Sequence, residues 1–205
     1  MFTGLIREIA KVKSFEGSKL SIYSTHLAKL GDSIAINGAC LTVIEVGSGY
    51  FSVELSPESK NLLAIENYKN EVHCEPAMMM GDRFEGHIVQ GHVDCVGEIV
   101  NIKQNGNSTD FFIKLPKEFI RFVIPKGSIT IDGVSLTVND VLQESFRLTI
   151  IPHTIKNTIF SRYKKGTKVN IETDLIARYV YHIFSKKDNN KVISWDSVDK
   201  MLASY

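Results

Sequence analysis

The sequence predicts an all-β protein in which two similar β-barrels follow one another and an α-helix comes after them. Three observations lead to this fold class. A thirteen-residue pattern occurs twice, at an offset of 95 residues. Both halves of the chain consist of short alternating runs separated by turn residues, which is typical of barrels and sandwiches. Towards the end, the spacing of apolar residues changes from the period of a strand to that of a helix.

The repeated pattern predicts a β-hairpin in each half. Residues 31–43 read GDSIAINGACLTV and residues 126–138 read KGSITIDGVSLTV, with seven of the thirteen positions identical. Isoleucines alternate with small residues as in a half-buried strand, and Asn-Gly or Asp-Gly then supplies a tight turn. After the turn come Cys40 and Thr42 in the first copy, and Ser135 and Thr137 in the second. Because both copies keep this polar pair, we predict a related pocket in each half.

The other strand patterns divide the chain into three parts. Alternating runs precede and follow the hairpin in each half, and Pro57 and Pro152 each close a strand at the same offset of 95 residues. A helical turn or two is expected between residues 58 and 67. Residues 90–93 correspond to residues 3–6, so the second half restarts near residue 87. We predict a first barrel over residues 1–86, a second over 87–174 and a helical segment over 175–205, with almost no linker between the barrels.

The third part has the pattern of an amphipathic helix. Its apolar residues form two adjacent rows at a spacing of four: Leu175, Tyr179 and Ile183, and Ile176, Val180 and Phe184. Asp174 precedes them as a plausible N-cap. A weaker helical pattern continues through Trp195, Val198 and Leu202. Such a stripe must be buried, either on its own chain or in an oligomer contact.

The composition favours a soluble globular protein of the cytoplasm. The 24 basic and 23 acidic residues nearly cancel and form no long run of one sign, which argues against a nucleic-acid partner. No apolar stretch reaches the length of a membrane span, and no signal peptide is recognised. Three cysteines without motif spacing suit free thiols in a reducing compartment.

The candidate metal ligands do not form a metal motif. His87 and His92 are five residues apart, an odd spacing that directs them to opposite faces of an extended chain, and no Cys or His pair has zinc-site spacing. His92 and Asp94 share a face, which would allow a hydrogen-bonded histidine with a tuned pKa. Lys126 stands where the first copy has Gly31, so the two halves are not interchangeable.

Four stretches of the sequence closely resemble the riboflavin synthase family of the alpha-chain type. They are the opening MFTGLI, the duplicated hairpin motif, the junction GHIVQGHVD at 86–94, and VNIETD at 169–174 followed by Ala-Arg-Tyr at 177–179. The resemblance runs in the family's order from residue 1 to about residue 184.

The resemblance implies two six-stranded Greek-key barrels, a homotrimer held by the C-terminal helices, and an active site between the first barrel of one subunit and the second barrel of its neighbour. It also implies a dismutation without metal or organic cofactor. Two molecules of 6,7-dimethyl-8-ribityllumazine would react, one giving a four-carbon unit to the other, and riboflavin and a ribitylamino-pyrimidinedione would form. Proximity of two bound substrates can supply ~7–11 kcal/mol in favourable cases, and a base must take a proton from the acidic C7 methyl group.

The resemblance also implies the residues of the site. Those assigned to a first pocket are Gly4, Leu5, Ile6, Cys40, Leu41, Thr42, Glu54, Leu55, Ser56, Pro57, Glu58 and Ser59, with Phe2 as a wall. Those assigned to a second pocket are Gly91, His92, Val93, Lys126, Ser135, Leu136, Thr137, Ile151, Pro152, His153, Thr154, Ile155 and Lys156. For proton transfer we expect His92 with Ser135 or Thr137, and Asp174 and Cys40 as supporting groups.

Two other functions are compatible with the same fold. A non-catalytic lumazine- or flavin-binding protein of the antenna type would bind the ligand without turnover, but such proteins tend to lose the second-barrel motifs that this chain keeps. An oligonucleotide-binding barrel would need a basic face with stacking aromatic residues, which the balanced charge does not support. Which residue is the base, and which pocket holds the donor, stay open in the sequence.

Overall fold

The computed structural model describes residues 1–187, and its first domain is a closed six-stranded antiparallel barrel. Around the barrel the strands follow the order β1-β2-β5-β4-β3-β6, so β2 pairs with β5 and not with β3, as in a Greek key. The strands are β1 Glu8–Glu16, β2 Lys19–Tyr23, β3 Ser33–Ile36, β4 Ala39–Gly47, β5 Tyr50–Glu54 and β6 Glu71–Pro76. A short helix, α1 Pro57–Leu62, follows β5. Its N-cap is Ser56, whose hydroxyl accepts the Ser59 N–H.

The second domain repeats this topology strand by strand. Its strands are β7 Cys95–Asn105, β8 Ser108–Lys114, β9 Ser128–Ile131, β10 Val134–Val141, β11 Ser145–Ile150 and β12 Lys168–Thr173. Its short helices are α2 Lys117–Ile120 and α3 Pro152–Lys156. Starting from β7, the order around the barrel is β7-β8-β11-β10-β9-β12, which is the first barrel's order again. The predicted fold class of two tandem six-stranded barrels is confirmed.

The predicted hairpins are β3–β4 and β9–β10, and their turns bring the two barrels together. Asn37 and Asp132 adopt positive φ, as expected for their turn positions. A Cβ on Gly38 would lie 2.6 Å from the backbone nitrogen of Gly133, so the two turns are in backbone contact. Each barrel has its own apolar core.

A buried hydrogen-bond network joins the barrels. Asn170 of β12 accepts the Ala64 N–H (2.8 Å) and donates to the Asn37 carbonyl (2.8 Å) and the Tyr68 hydroxyl (3.1 Å). His73 of β6 occupies the matching place, where Nε2 accepts the Ile159 N–H at 2.8 Å. Its Nδ1 therefore donates to the Asp132 carbonyl, also at 2.8 Å. Burial lowers the pKa of His73 to about 4, which keeps the ring neutral and both bonds in place.

Removal of one hydroxyl from this network should measurably weaken the protein. Tyr68 is fully buried, and its hydroxyl donates to the Ile36 carbonyl at 3.0 Å. We expect Tyr68→Phe to lower the free energy of unfolding by about 1–3 kcal/mol, because the Ile36 carbonyl and the Asn170 amide each lose a partner. Tyr23→Phe is the matched control, since the Tyr23 side chain is 49% exposed. Equal unfolding free energies of the two variants in urea would contradict the expectation.

The predicted C-terminal helix is present as α4 Leu175–Lys187. The Asp174 carboxylate accepts the Ile176 N–H at 2.7 Å, which confirms its predicted place at the helix N-terminus. Arg178 fixes α4 to the second barrel by donating to Asp94 (2.8 Å) and to Gln90 (3.1 Å). The predicted helical pattern through Trp195, Val198 and Leu202 lies outside the described residues. Every helix within residues 1–187 is too short or too polar to cross a membrane.

Candidate functional site

Two extended segments cross each other between the barrels. We name residues 2–6 the first crossing segment and residues 86–93 the second crossing segment. They run antiparallel. The Phe2 N–H donates to the Val89 carbonyl at 2.8 Å, and the Val89 N–H donates to the Phe2 carbonyl at 3.2 Å. The His87 N–H donates to the Thr3 carbonyl at 3.2 Å.

Each crossing segment packs on the hairpin of the other barrel. The Gly4 carbonyl accepts the Ser135 N–H at 2.8 Å, and the Gly91 carbonyl accepts the Cys40 N–H at 2.8 Å. Ile6 packs against the core of the second barrel, whereas Val93 belongs to the core of the first. The sequence had grouped the crossing residues with the hairpin of their own half. In the structure each segment instead hydrogen-bonds to the hairpin of the other half, Gly4 to Ser135 and Gly91 to Cys40.

Glycine is required where the segments meet the hairpins. Gly4 has φ +79°, and a Cβ there would lie 2.5 Å from the Cβ of Ser135. Gly91 has φ +77°, and a Cβ there would lie 2.6 Å from the Cβ of Cys40. Real carbon atoms do not approach so closely, and positive φ itself favours glycine. The two glycines thus place backbone carbonyls directly against the hairpin residues predicted to form the pockets.

A buried glutamate holds each crossing segment. Glu75 of β6 accepts the N–H groups of Thr3 (2.7 Å) and Gly4 (3.1 Å), and the Thr3 hydroxyl at 2.9 Å. Glu172 of β12 accepts three N–H groups, those of Gln90 (2.7 Å), Gly91 (2.9 Å) and His92 (3.1 Å). Burial raises the pKa of both carboxyls, that of Glu172 to about 7.

The sequence reasoning did not predict Glu75 and Glu172 as a pair. The sequence does contain a pattern that relates them, because both strands read Val-x-x-Glu and the two glutamates are 97 residues apart. Their function in holding the crossing segments depends on long-range contacts, which a strand pattern does not contain.

The first half-site is built on β4. We define it as Cys40–Thr42, residues 54–59 and the crossing residues Gly91–Val93, all of them predicted to contact substrate. Residues 54–59 lie beside the hairpin because β5 pairs with β4, with Val53 opposite Val43. The helix α1 then begins where β5 ends. Thr42 is exposed, Leu41 is buried, and Cys40 lies at the surface of the barrel beside Gly91.

The second half-site has the same construction on β10. We define it as Ser135–Thr137, residues 151–156 and the crossing residues Gly4–Ile6. Residues 151–156 lie beside the hairpin because β11 pairs with β10 and α3 begins where β11 ends, and Gly4 accepts the Ser135 N–H. Thr137 and His153 are exposed. Lys126 is exposed as well, with φ +66°, and its N–H donates to the Val138 carbonyl at 2.8 Å.

The histidine beside Ser135 is His87, not the predicted His92. His87 Nδ1 lies 2.7 Å from the Ser135 hydroxyl oxygen, whereas the His92 side chain is exposed. The hydrogen bond between His92 and Asp94 that the sequence allowed is not formed, and Asp94 instead accepts from the hydroxyl and N–H of Thr173 and from Arg178. From the sequence, His87 was considered only as a possible metal ligand. Its contact with Ser135 joins residues 48 positions apart, which a local pattern does not reveal.

Phe2 supports the first half-site from inside. Its side chain is 1% exposed and packs with Ala35 and Val89, next to Cys40. The ring therefore lies beneath the surface of the half-site. The sequence had predicted that this ring forms a wall of the site. Within residues 1–187, no three His, Cys, Asp or Glu side chains form a group suited to a metal ion.

Comparison with protein families gives one match that covers most of the chain. The model of the lumazine binding domain matches twice, over residues 3–76 and 90–174. The two matched ranges contain all twelve strands of the two barrels.

Curated proteins and solved structures give consistent likenesses. The chain is 42% identical to a riboflavin synthase of Actinobacillus pleuropneumoniae, with 97% of each chain covered. It is 39% identical to one of Photobacterium phosphoreum, with 98% of each covered. Its fold is similar to that of LumP, solved in complex with riboflavin, with a TM-score of 0.77, 20% identity, and coverage of 84% of this chain and 99% of that one.

Proposed function

Because the chain belongs to the family of proteins built from lumazine binding domains, we propose that it is an enzyme with riboflavin synthase activity. It converts two molecules of 6,7-dimethyl-8-ribityllumazine into riboflavin and 5-amino-6-ribitylamino-2,4-pyrimidinedione. One substrate molecule gives a four-carbon unit to the other, which makes the enzyme a transferase that needs no cofactor.

The main observation that supports this proposal is the pair of half-sites, in each of which the crossing segment of one barrel packs on the hairpin of the other. One chain builds two half-sites from equivalent strands, equivalent glycines and equivalent buried glutamates. A reaction between two copies of one molecule needs two related binding sites that hold the copies in a defined relative geometry.

The half-sites offer the groups that a ribityllumazine requires. Backbone carbonyls and N–H groups at the hairpins suit the pyrimidinedione edge, and the hydroxyls of Thr42, Ser135 and Thr137 suit its polar atoms. The segments at residues 54–59 and 151–156, where β5 leads into α1 and β11 into α3, suit the ribityl chain. We propose that His92 and Lys126 also contact substrate, and that Cys40 and Asp174 assist the reaction.

Support for a homotrimer comes from α4. Several of its large apolar side chains remain exposed in the single chain, namely Ile176, Tyr179, Val180, Ile183 and Phe184. An apolar groove of about 470 Å³ lies between α4 and residues 121–128. We propose that residues 175–205 form the oligomerisation segment after barrels over residues 1–86 and 87–174. A half-site of one subunit would then face a half-site of its neighbour.

A cytoplasmic location agrees with the state of the thiols. Cys40, Cys74 and Cys95 are free, as expected in a reducing compartment. Burial raises the pKa of both Cys74 and Cys95 to about 12, which protects these two thiols from oxidation.

Conversion of the lumazine tests the proposed activity directly. The purified protein is mixed with 6,7-dimethyl-8-ribityllumazine, without added metal or cofactor, and riboflavin is followed by its absorbance. We expect one riboflavin for every two lumazine molecules consumed. Tight binding without riboflavin would instead show a binding protein of the antenna type, and neither binding nor product would refute the assignment.

A further inference from the structure

The two half-sites differ in the ring that lies behind the hairpin. In the first half-site, the Phe2 ring packs with Ala35 and next to Cys40. In the second, the equivalent positions are Thr130 and Ser135, and the ring that contacts them is the imidazole of His87. The same place in the duplicated fold thus holds an apolar ring in one half and a titratable ring in the other.

The polar contacts of the second half-site form a chain of three side chains. The Ser135 hydroxyl is 2.7 Å from His87 Nδ1, and the Thr130 hydroxyl is 3.4 Å from His87 Nε2. The counterpart of Ser135 in the first barrel is Cys40, whose thiol makes no hydrogen bond within residues 1–187. The counterpart of Thr130 is Ala35, which has no polar side-chain atom. The chain of polar groups therefore belongs to one half-site of the two.

Resting on the proposed function, we infer that His87 is the positioning residue through which Ser135 removes the C7-methyl proton of a lumazine bound at the second half-site. The imidazole Nδ1 accepts the Ser135 hydroxyl hydrogen, and Nε2–H faces Thr130. The C–H bond of the methyl group breaks, and its electron pair is delocalised into the pteridine ring. The Ser135 oxygen takes the methyl proton as its own hydrogen passes to Nδ1, so a lumazine anion and an imidazolium form together.

The surroundings of His87 agree with this assignment. Burial lowers the pKa of His87, and the Asp174 carboxylate opposes that effect. The imidazole is thus neutral and able to accept a proton near neutral pH, and Asp174 stabilises the imidazolium once it forms. The groups that hydrogen-bond to His87 are uncharged, namely the Thr3 carbonyl and the hydroxyls of Thr130 and Ser135. The nearest strand also contains Glu172, which pairs with Thr130 and whose pKa burial raises to about 7.

Backbone geometry holds the imidazole in place. A Cβ at Gly86 would lie 1.8 Å from the Thr3 carbonyl oxygen, so the chain can pass at this distance only as glycine. The His87 N–H then donates to that same carbonyl. This fixed backbone orients the ring towards Ser135, as a positioning residue requires.

The test measures proton removal separately from riboflavin formation. Exchange of the C7-methyl protons of 6,7-dimethyl-8-ribityllumazine for deuterium is followed by NMR in D₂O, alongside steady-state turnover. We expect His87→Gln to lower both the enzyme-catalysed exchange rate and kcat by about 100-fold, the size of a general acid–base contribution, with KM little changed. In the wild type, protonation of His87 should lower kcat at acidic pH. This acidic limb of the kcat–pH profile should be absent in His87→Gln. His26→Gln is the control, because His26 is exposed and lies outside both half-sites.

Two further variants separate positioning from a general loss of structure. Imidazole added to His87→Ala should restore part of the exchange rate, and should restore none in Ser135→Ala. His87→Gln and Ser135→Ala should not be additive, because they interrupt one proton path. Wild-type exchange, or an unchanged acidic limb, in His87→Gln would overturn the inference while the proposed function stands. A wild-type protein that forms no riboflavin would refute the function itself.

Discussion

Gly4→Ala should lower turnover by about 100-fold, as large an effect on activity as any that the structure predicts. The new methyl group would lie 2.5 Å from the Ser135 Cβ. An ordinary carbon contact requires about 1 Å more, so either the crossing segment or the hairpin must move by that amount. A displacement of this size in a site that depends on positioning costs about 10²-fold in rate. Steady-state riboflavin formation measures the effect.

The chain offers a matched control for Gly4→Ala. Gly17 also has positive φ, at +57°, but a Cβ there meets no atom within 4 Å. Gly17→Ala therefore carries the same kind of backbone strain, about 1–2 kcal/mol, without the clash against Ser135. We expect its turnover to equal that of the wild type, with both variants giving the same circular dichroism. Similar turnover in Gly4→Ala and Gly17→Ala would show that contact between Gly4 and Ser135 does not matter for catalysis.

Asp132→Asn should make the protein more stable at alkaline pH, the largest effect on stability that we expect. Asp132 is fully buried, and burial raises the pKa of its carboxyl from 3.8 to about 7, against hydrogen bonds from Tyr163 and the Asn170 N–H. Because the folded-state pKa is raised, this carboxyl contributes stability that is fully present below pH 3.8 and is lost as pH rises through 7. The wild type therefore loses about 4 kcal/mol from this group between about pH 4 and pH 9.

Asparagine can replace the buried acid without loss of the main hydrogen bond. In the first barrel, Asn37 occupies the equivalent position, and its side-chain oxygen accepts the His73 N–H at 2.8 Å. The amide oxygen that Asp132→Asn introduces could accept the Asn170 N–H in the same way, so the difference in unfolding free energy between variant and wild type should grow with pH. Asn37→Asp is the reciprocal variant and should introduce the same pH dependence. Urea unfolding from about pH 4 to pH 9 measures both, and parallel curves for wild type and Asp132→Asn would contradict the prediction.

The sequence by itself determined the fold class and most of the site's components. Strands alternate with period two, turns need Asn-Gly or Asp-Gly, and a helix repeats its apolar residues every three to four positions, so β3–β4, β9–β10 and α4 could be predicted locally. The duplication of residues 31–43 at 126–138 then gave two related barrels. The hairpin residues Cys40, Thr42, Ser135 and Thr137 came from the same local pattern.

Only the tertiary structure decided how these components combine. The exchange of Gly4 and Gly91 between the barrels, the buried Glu75 and Glu172, and the contact of His87 with Ser135 all join residues 48 to 131 positions apart. Such contacts depend on how two closed barrels pack and on which backbone groups are left to be satisfied between them. Local periodicity gives the direction of a side chain relative to its own strand and contains no information on the residue that it contacts. For this reason the sequence favoured His92 as the partner of Ser135, whereas the fold places His87 beside it.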